Sequence, residues 1–144
     1  VELSARIEYA LLALLELASS SQKEPLKISE ITAKQAIPDR YLEQILTSLR
    51  RHGIVQSQRG AKGGYSLTRE PWQITLWDIV ESVEGDGSRR EQGRSVPTTL
   101  EKDLVCELGQ QAREASQAVL NRYTLQDLSQ RRQMHQQTSP MYHI

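Results

Sequence analysis

Apolar residues recur at helical spacing in several stretches of this 144-residue chain, and between two of them the pattern shortens to strand-like runs. Ile7, Leu11, Leu14 and Ala18, joined by Ala10 and Leu17, form a wide apolar face that predicts a first helix from near Ser4. Ser19-Ser20-Ser21 and Pro25 end it. Ser29 is the candidate N-cap of a short second helix reaching about Gln35, with Ile31 as its inward anchor. Ala36-Ile37-Pro38 reads as a tight turn, because the residue before a proline is biased out of helix. The best-defined element runs from about Asp39 to His52. Leu42, Ile45, Leu46 and Leu49 follow the i, i+3, i+4, i+7 pattern of a buried face, and Arg40, Glu43, Gln44 and Thr47 follow it on the opposite face. Gly53 stands where a left-handed C-cap glycine belongs.

Two short runs, Ile54–Gln58 and Tyr65–Thr68, then flank a tip of glycine and positive charge: Arg59, Gly60, Lys62, Gly63 and Gly64. A hairpin of this kind directly after a helix suits the wing of a winged helix, whose glycines let backbone approach phosphates while an arginine enters a groove. Thr75 and Asp78 make a capping-box-like start to a fourth helix carrying Leu76, Ile79, Val80 and Val83, expected to stop at Gly85. The stretch to Pro97 is rich in Gly, Arg and Ser and reads as a linker. From about Thr98 the helical period returns, with a stripe of Leu104, Leu108, Ala112, Ala115 and Val119 supported by Val105 and Leu120. A long striped helix lying outside the compact set of elements most often finds its partner in a second copy, so these residues are the candidate dimerisation surface. Thr124 is placed to cap a final turn, Leu125–Leu128, and the glutamine-rich remainder is expected to be disordered.

The fold class implied is mainly α: a winged helix-turn-helix with a two-stranded wing and a long C-terminal dimerisation helix. The chain divides into a DNA-binding domain over residues 1–84, a loop over 85–97, the dimerisation helix and closing segment over 98–128, and a tail over 129–144.

Formal net charge is zero, so no global field draws this chain to nucleic acid. The local balance differs. Between Arg40 and Arg69 stand Arg40, Arg50, Arg51, Arg59, Lys62 and Arg69 against one acid, Glu43, and the compensating acids follow afterwards. A basic patch on a neutral chain suits a specific DNA reader better than a general DNA coater. On the outer face of the third helix, Gln44 can pair bidentately with adenine, Glu43 can accept from the cytosine amino group, and Arg40 can reach guanine or phosphate. The same face is also what any solvated helix presents; the basic glycine hairpin attached to it is what tips the balance toward double-stranded DNA.

Other chemistries find little support. The glycines lack the G-x-x-x-x-G-K-[ST] spacing and precede a strand, so no helix N-terminus is offered to a nucleotide phosphate. His52, His135 and His143 have no metal-ligand spacing with each other or with Cys106, and no nucleophile motif appears, so no enzyme is expected. Trp72 and Trp77 are assigned to domain packing rather than base stacking. A single cysteine excludes an intrachain disulfide and points to a reducing, cytoplasmic setting. Tyr9–Leu15 is too short to span a membrane, and no membrane partner is expected.

Ser4-Ala-Arg-Ile-Glu-Tyr-Ala10, Tyr41-Leu-Glu-Gln-Ile-Leu46 and Arg59-Gly-x-x-Gly-Gly-Tyr65, in this order, resemble the Rrf-two family of bacterial winged-helix regulators, the group that includes IscR, NsrR and CymR. The likeness covers about Glu2 to Glu84 closely, and Asn121–Leu128 resembles the family's closing segment. It implies a homodimer with crossed long helices on a roughly palindromic operator; taken with the residue patterns, the expected function is a sequence-specific transcription regulator, repressor more than activator. It makes Tyr41 part of the reader helix, Glu43 a base-reading residue and Arg59 the minor-groove arginine of the wing. Cluster-binding members of the family place three cysteines in the loop before the long helix; here that loop has none, and only Cys106 remains. A tetra-iron cluster needs four ligands, usually thiolates. Some relatives borrow an acidic ligand from the partner's first helix, and Glu8 matches that place. Cys106 therefore has three readings: a small apolar residue on a helix face, a redox-active thiol, or an iron–sulfur ligand shared with Glu8. No cofactor is assigned. The signal stays open among a cluster, a thiol, a small molecule and a protein partner. The rival to DNA binding is an adaptor using the same fold for protein contacts.

Overall fold

The structure, a computed structural model, describes residues 3–19, 24–92 and 99–138. The order is α1 (Ala5–Ser19), α2 (Ile28–Lys34), α3 (Asp39–Arg51), β1 (Val55–Gln58), β2 (Gly64–Leu67), a 3-10 turn (Pro71–Gln73), α4 (Leu76–Gln92), α5 (Leu100–Leu120) and α6 (Leu125–Thr138). This is the mainly helical winged helix-turn-helix expected. The core lies where α1, α3 and α4 meet, and Ile31 of α2 is buried in it together with Ile54, Ile74 and Leu125. Leu14, Leu42, Ile45, Leu46, Leu49 and Ile79 have no exposed surface.

Local chemistry sets the boundaries. Ser4 Oγ accepts from the Ile7 N–H at 3.4 Å at the start of α1. The second helix is capped two residues earlier than expected: Lys27, not Ser29, is the N-cap, and its N–H donates to the Glu30 carboxylate at 3.2 Å. Gly53, with φ of +75°, ends α3 in the left-handed region, which favours glycine. Val55 pairs with Leu67 and Gln58 with Gly64 across the antiparallel wing. Two reciprocal caps repeat the same logic: Thr75 Oγ1 accepts from the Asp78 N–H while Asp78 accepts from the Thr75 N–H, both at 3.1 Å. Thr124 and Asp127 do likewise at 3.2 and 2.9 Å. The two caps are joined by an isolated antiparallel bridge between Thr75 and Thr124.

Three further expectations change. α4 does not stop at Gly85 but continues to Gln92, so the head of the expected linker is helical. Gly85 has no positive φ, and a helical glycine costs only about 1 kcal/mol relative to alanine, too little to end a helix by itself. α6 is not a single turn before a disordered tail but runs to Thr138. Glutamine and arginine are good helix formers, Thr124 and Asp127 cap the start, and Leu125 is wholly buried. Trp72 is 60% exposed on the 3-10 turn, whereas Trp77 is buried, so only the second packs into the domain. Residues 93–97 of the expected linker, and 139–144 of the expected tail with His143, lie outside the described residues.

Candidate nucleic-acid interface

The two faces of α3 are cleanly separated. Leu42, Ile45, Leu46 and Leu49 are locked in the core, and Arg40, Glu43, Gln44, Arg50 and Arg51 are exposed. Thr47 is half-buried and its hydroxyl donates to the Glu43 carbonyl at 2.8 Å, so it bonds first to its own helix. Tyr41, half exposed, packs at a tilt on Tyr9 with ring centres 6.1 Å apart. Burial of the inner face holds the outer one as a rigid platform.

The wing is fixed to that platform. Arg50 Nη1 donates to Ser57 Oγ of β1 at 3.3 Å, linking the end of α3 to the first strand. Beside β2, Leu26 and Tyr65 exchange backbone hydrogen bonds at 2.9 and 2.8 Å, an isolated antiparallel bridge. The tip residues Arg59, Gly60, Ala61 and Lys62 are exposed. Its turn closes through the Gly63 N–H on the Gly60 carbonyl at 2.9 Å.

The glycines divide by role. A Cβ on Gly63 would overlap the Gln58 carbonyl oxygen, and one on Gly64 would lie 2.5 Å from the Leu26 carbonyl oxygen. Both are needed for the hairpin to close on its own chain. Gly60, with φ of +110° and open space around it, is the one that leaves the tip clear.

The C-terminal stripe contrasts with all of this. No residue of α5 is buried, and Leu104 and Leu108 are 56% and 67% exposed, with Ala112, Ala115 and Val119 beside them. Arg113 ties the helix to its own chain: its guanidinium lies 5.1 Å from the Trp77 ring centre, and Nη1 is 3.9 Å from Glu84 Oε2. Both partners of that ion pair are substantially exposed, so solvent screening leaves it little weight.

Cys106 is exposed on α5, and Glu8 is exposed on α1. Among the described residues, no group of three or more His, Cys, Asp or Glu side chains is placed to hold a metal ion. One thiol per chain does not match the donor set of a cluster. His52 Nδ1 is 2.9 Å from the Ser48 carbonyl, engaged with the end of its own helix. No described helix is long and apolar enough to cross a membrane.

Sequence reasoning missed a buried carboxylate. Glu16 is 1% exposed, and it meets Gln35, Lys34 and Arg132, the last from the segment expected to be disordered. The available signal was an acid embedded between apolar residues, Ala13-Leu14-Leu15 and Leu17.

A family model described as "Rrf2: Iron-dependent Transcriptional regulator" matches residues 3–131. The HTH-type transcriptional regulator CymR of Bacillus subtilis is 35% identical over 129 residues, covering 90% of each chain. The solved structure of CymR, titled the global cysteine regulator of B. subtilis, superposes with a TM-score of 0.68 at 34% identity, covering 90% of this chain and 97% of that one. The structure of T. potens IscR does so with a TM-score of 0.69 at 29% identity, covering 89% and 85%.

Proposed function

The chain belongs to the Rrf2 family, as a DNA-binding transcription regulator and not an enzyme, and from that premise we propose that it is a homodimeric repressor reading a near-palindromic operator. Glu43, Gln44 and Arg40 on the outer face of α3 meet base edges in the major groove, with Tyr41 and Thr47 flanking them. Arg50, Arg51 and Lys62 meet phosphates, and Arg59 at the clear tip beside Gly60 enters the adjacent minor groove. The observation that carries this reading is the exposed polar face of α3 beside the exposed basic wing tip, with the wing tied to α3 by Arg50 on Ser57 and to the segment before α2 by the Leu26–Tyr65 bridge. A reader and a wing already tied together can engage neighbouring grooves with less ordering at binding.

The dimer rests on α5. Leu104, Leu108, Ala112, Ala115 and Val119 offer a helix-long apolar stripe with small residues toward its middle, fit for close approach by a second copy. Two copies related by a two-fold axis would set two α3 helices on inverted half-sites.

The test is enrichment of duplexes from a random-sequence pool by the purified protein. Two inverted half-sites at a fixed spacing are the expected yield. Recovery of no shared sequence, with equal retention of every duplex, would count against the reader-helix assignment and favour an adaptor.

A further inference from the structure

Glu16 sits in the apolar face of α1, and its Oε1 accepts from Gln35 Nε2 at 2.8 Å and from Arg132 Nη1 at 2.9 Å. Lys34 Nζ stands 3.9 Å from Oε2. A charge in such a place is tolerated only when paired and hydrogen-bonded, and an apolar residue would fill the site more simply. What the carboxylate adds is direction: charge-assisted bonds that are satisfied in one arrangement of α1, α2 and α6.

The partners are informatively placed. Gln35 ends α2, its N–H donating to the Ile31 carbonyl at 3.0 Å, and its carbonyl accepts from the Ile37 N–H at 2.8 Å in the turn before Pro38, the N-cap of α3. Arg132 belongs to α6, which follows α5 after a short break and is stapled to the start of α4 by the Thr75–Thr124 bridge and the Leu125 N–H on the Ile74 carbonyl at 2.9 Å. Glu16 thus joins the C-terminal helix to the turn from which α3 is launched.

We infer that Arg132 is a positioning residue for DNA reading: through Glu16 and Gln35 it fixes the turn between α2 and α3, and so the angle at which α3 meets the groove. The inference rests on α3 being the reader helix. It requires no contact of Arg132 with DNA, and it makes α6 a working part of the DNA-binding head in its own chain.

The test uses a duplex enriched by the wild-type protein and a scrambled version of it, with thermal unfolding followed in parallel. Arg132→Met alone leaves the buried carboxylate only Gln35 and the more distant Lys34 ammonium, and lowers the melting temperature. The double variant Glu16→Gln with Arg132→Met removes charge and partner together, so folding recovers while the link from α6 to the turn stays broken. Its affinity for the enriched duplex is expected to remain about tenfold below wild type, within the range that coupling mutations produce, with scrambled-duplex affinity unchanged. A double variant that melts and binds like wild type would overturn the inference, leaving the pair a purely structural one. Gln35→Ala, which keeps the ion pair, gives a second reading should the double variant fail to fold: the same selective loss is expected, and full affinity overturns the inference. Failure of the wild-type protein to enrich any sequence is separable from these outcomes, since it removes the reader helix itself.

Discussion

α3 and α5 are both amphipathic helices, and their apolar residues recur at much the same interval, yet they end in opposite environments. Leu42, Ile45, Leu46 and Leu49 of α3 are wholly buried, whereas Leu104 and Leu108 of α5 are more than half exposed. The difference is not in the helices but in what the chain supplies around them. α3 is enclosed by α1, α2 and α4. α5 has contact with its own chain chiefly through Arg113 against Trp77 and Glu84 and through its C-terminal end. An apolar stripe therefore announces that a partner exists without saying in which chain it lies. In α3 the partner is the domain, and the opposite face is free for recognition. In α5 the stripe itself is the surface left for recognition.

The contrast can be broken from the buried side first. Leu46→Ala should cost about 2–5 kcal/mol of unfolding free energy, because a cavity opens in a closed core. Denaturant titration checks this, and a change under 1 kcal/mol, roughly the size of a surface effect, would mean that the α3 face is not enclosed as described. Leu108→Ala should leave the melting of the winged domain nearly untouched. It should weaken self-association by about 1.5–3 kcal/mol per buried side chain, read by sedimentation equilibrium. Equal destabilisation of both variants at high dilution would erase the distinction between the helices.

The outer face of α3 sharpens the same comparison. Glu43→Ala should cost about 1–3 kcal/mol of discrimination at one base position while changing affinity for scrambled DNA little, as a competition assay with base-substituted duplexes would show. Lys62→Ala has the smallest expected signature: weaker binding across sequences and a salt-dependence slope reduced by about 1, as for the loss of one phosphate contact. An unchanged slope would place the lysine away from the backbone.

What could be read from sequence followed locality. The span of α3 and its Gly53 stop came from a pattern within a single element, and the hairpin from two runs around one turn. α6 beyond its first turn was illegible for the converse reason. Its polar anchor, Arg132 on Glu16, joins residues 116 apart in a segment whose composition resembles that of disordered chains. The wing glycines were seen, but the demand on Gly64 comes from the Leu26 backbone, which no pattern near the wing reveals. Trp72 and Trp77, five residues apart, diverge because only the second faces α5 and the core. Of the candidate DNA contacts, the sequence separated the outer face of α3 from the inner one, and it was blind to the Arg50–Ser57 tie that sets wing against helix.

The most direct measurement is the mass of the complex formed with an enriched duplex, taken by analytical ultracentrifugation for wild type and for Leu108→Glu. Two protomers per duplex in wild type, with dimer formation lost and binding greatly weakened in the variant, is the expected result. A single wild-type protomer bound at full affinity, or an equally tight variant, would contradict the dimeric reading of α5.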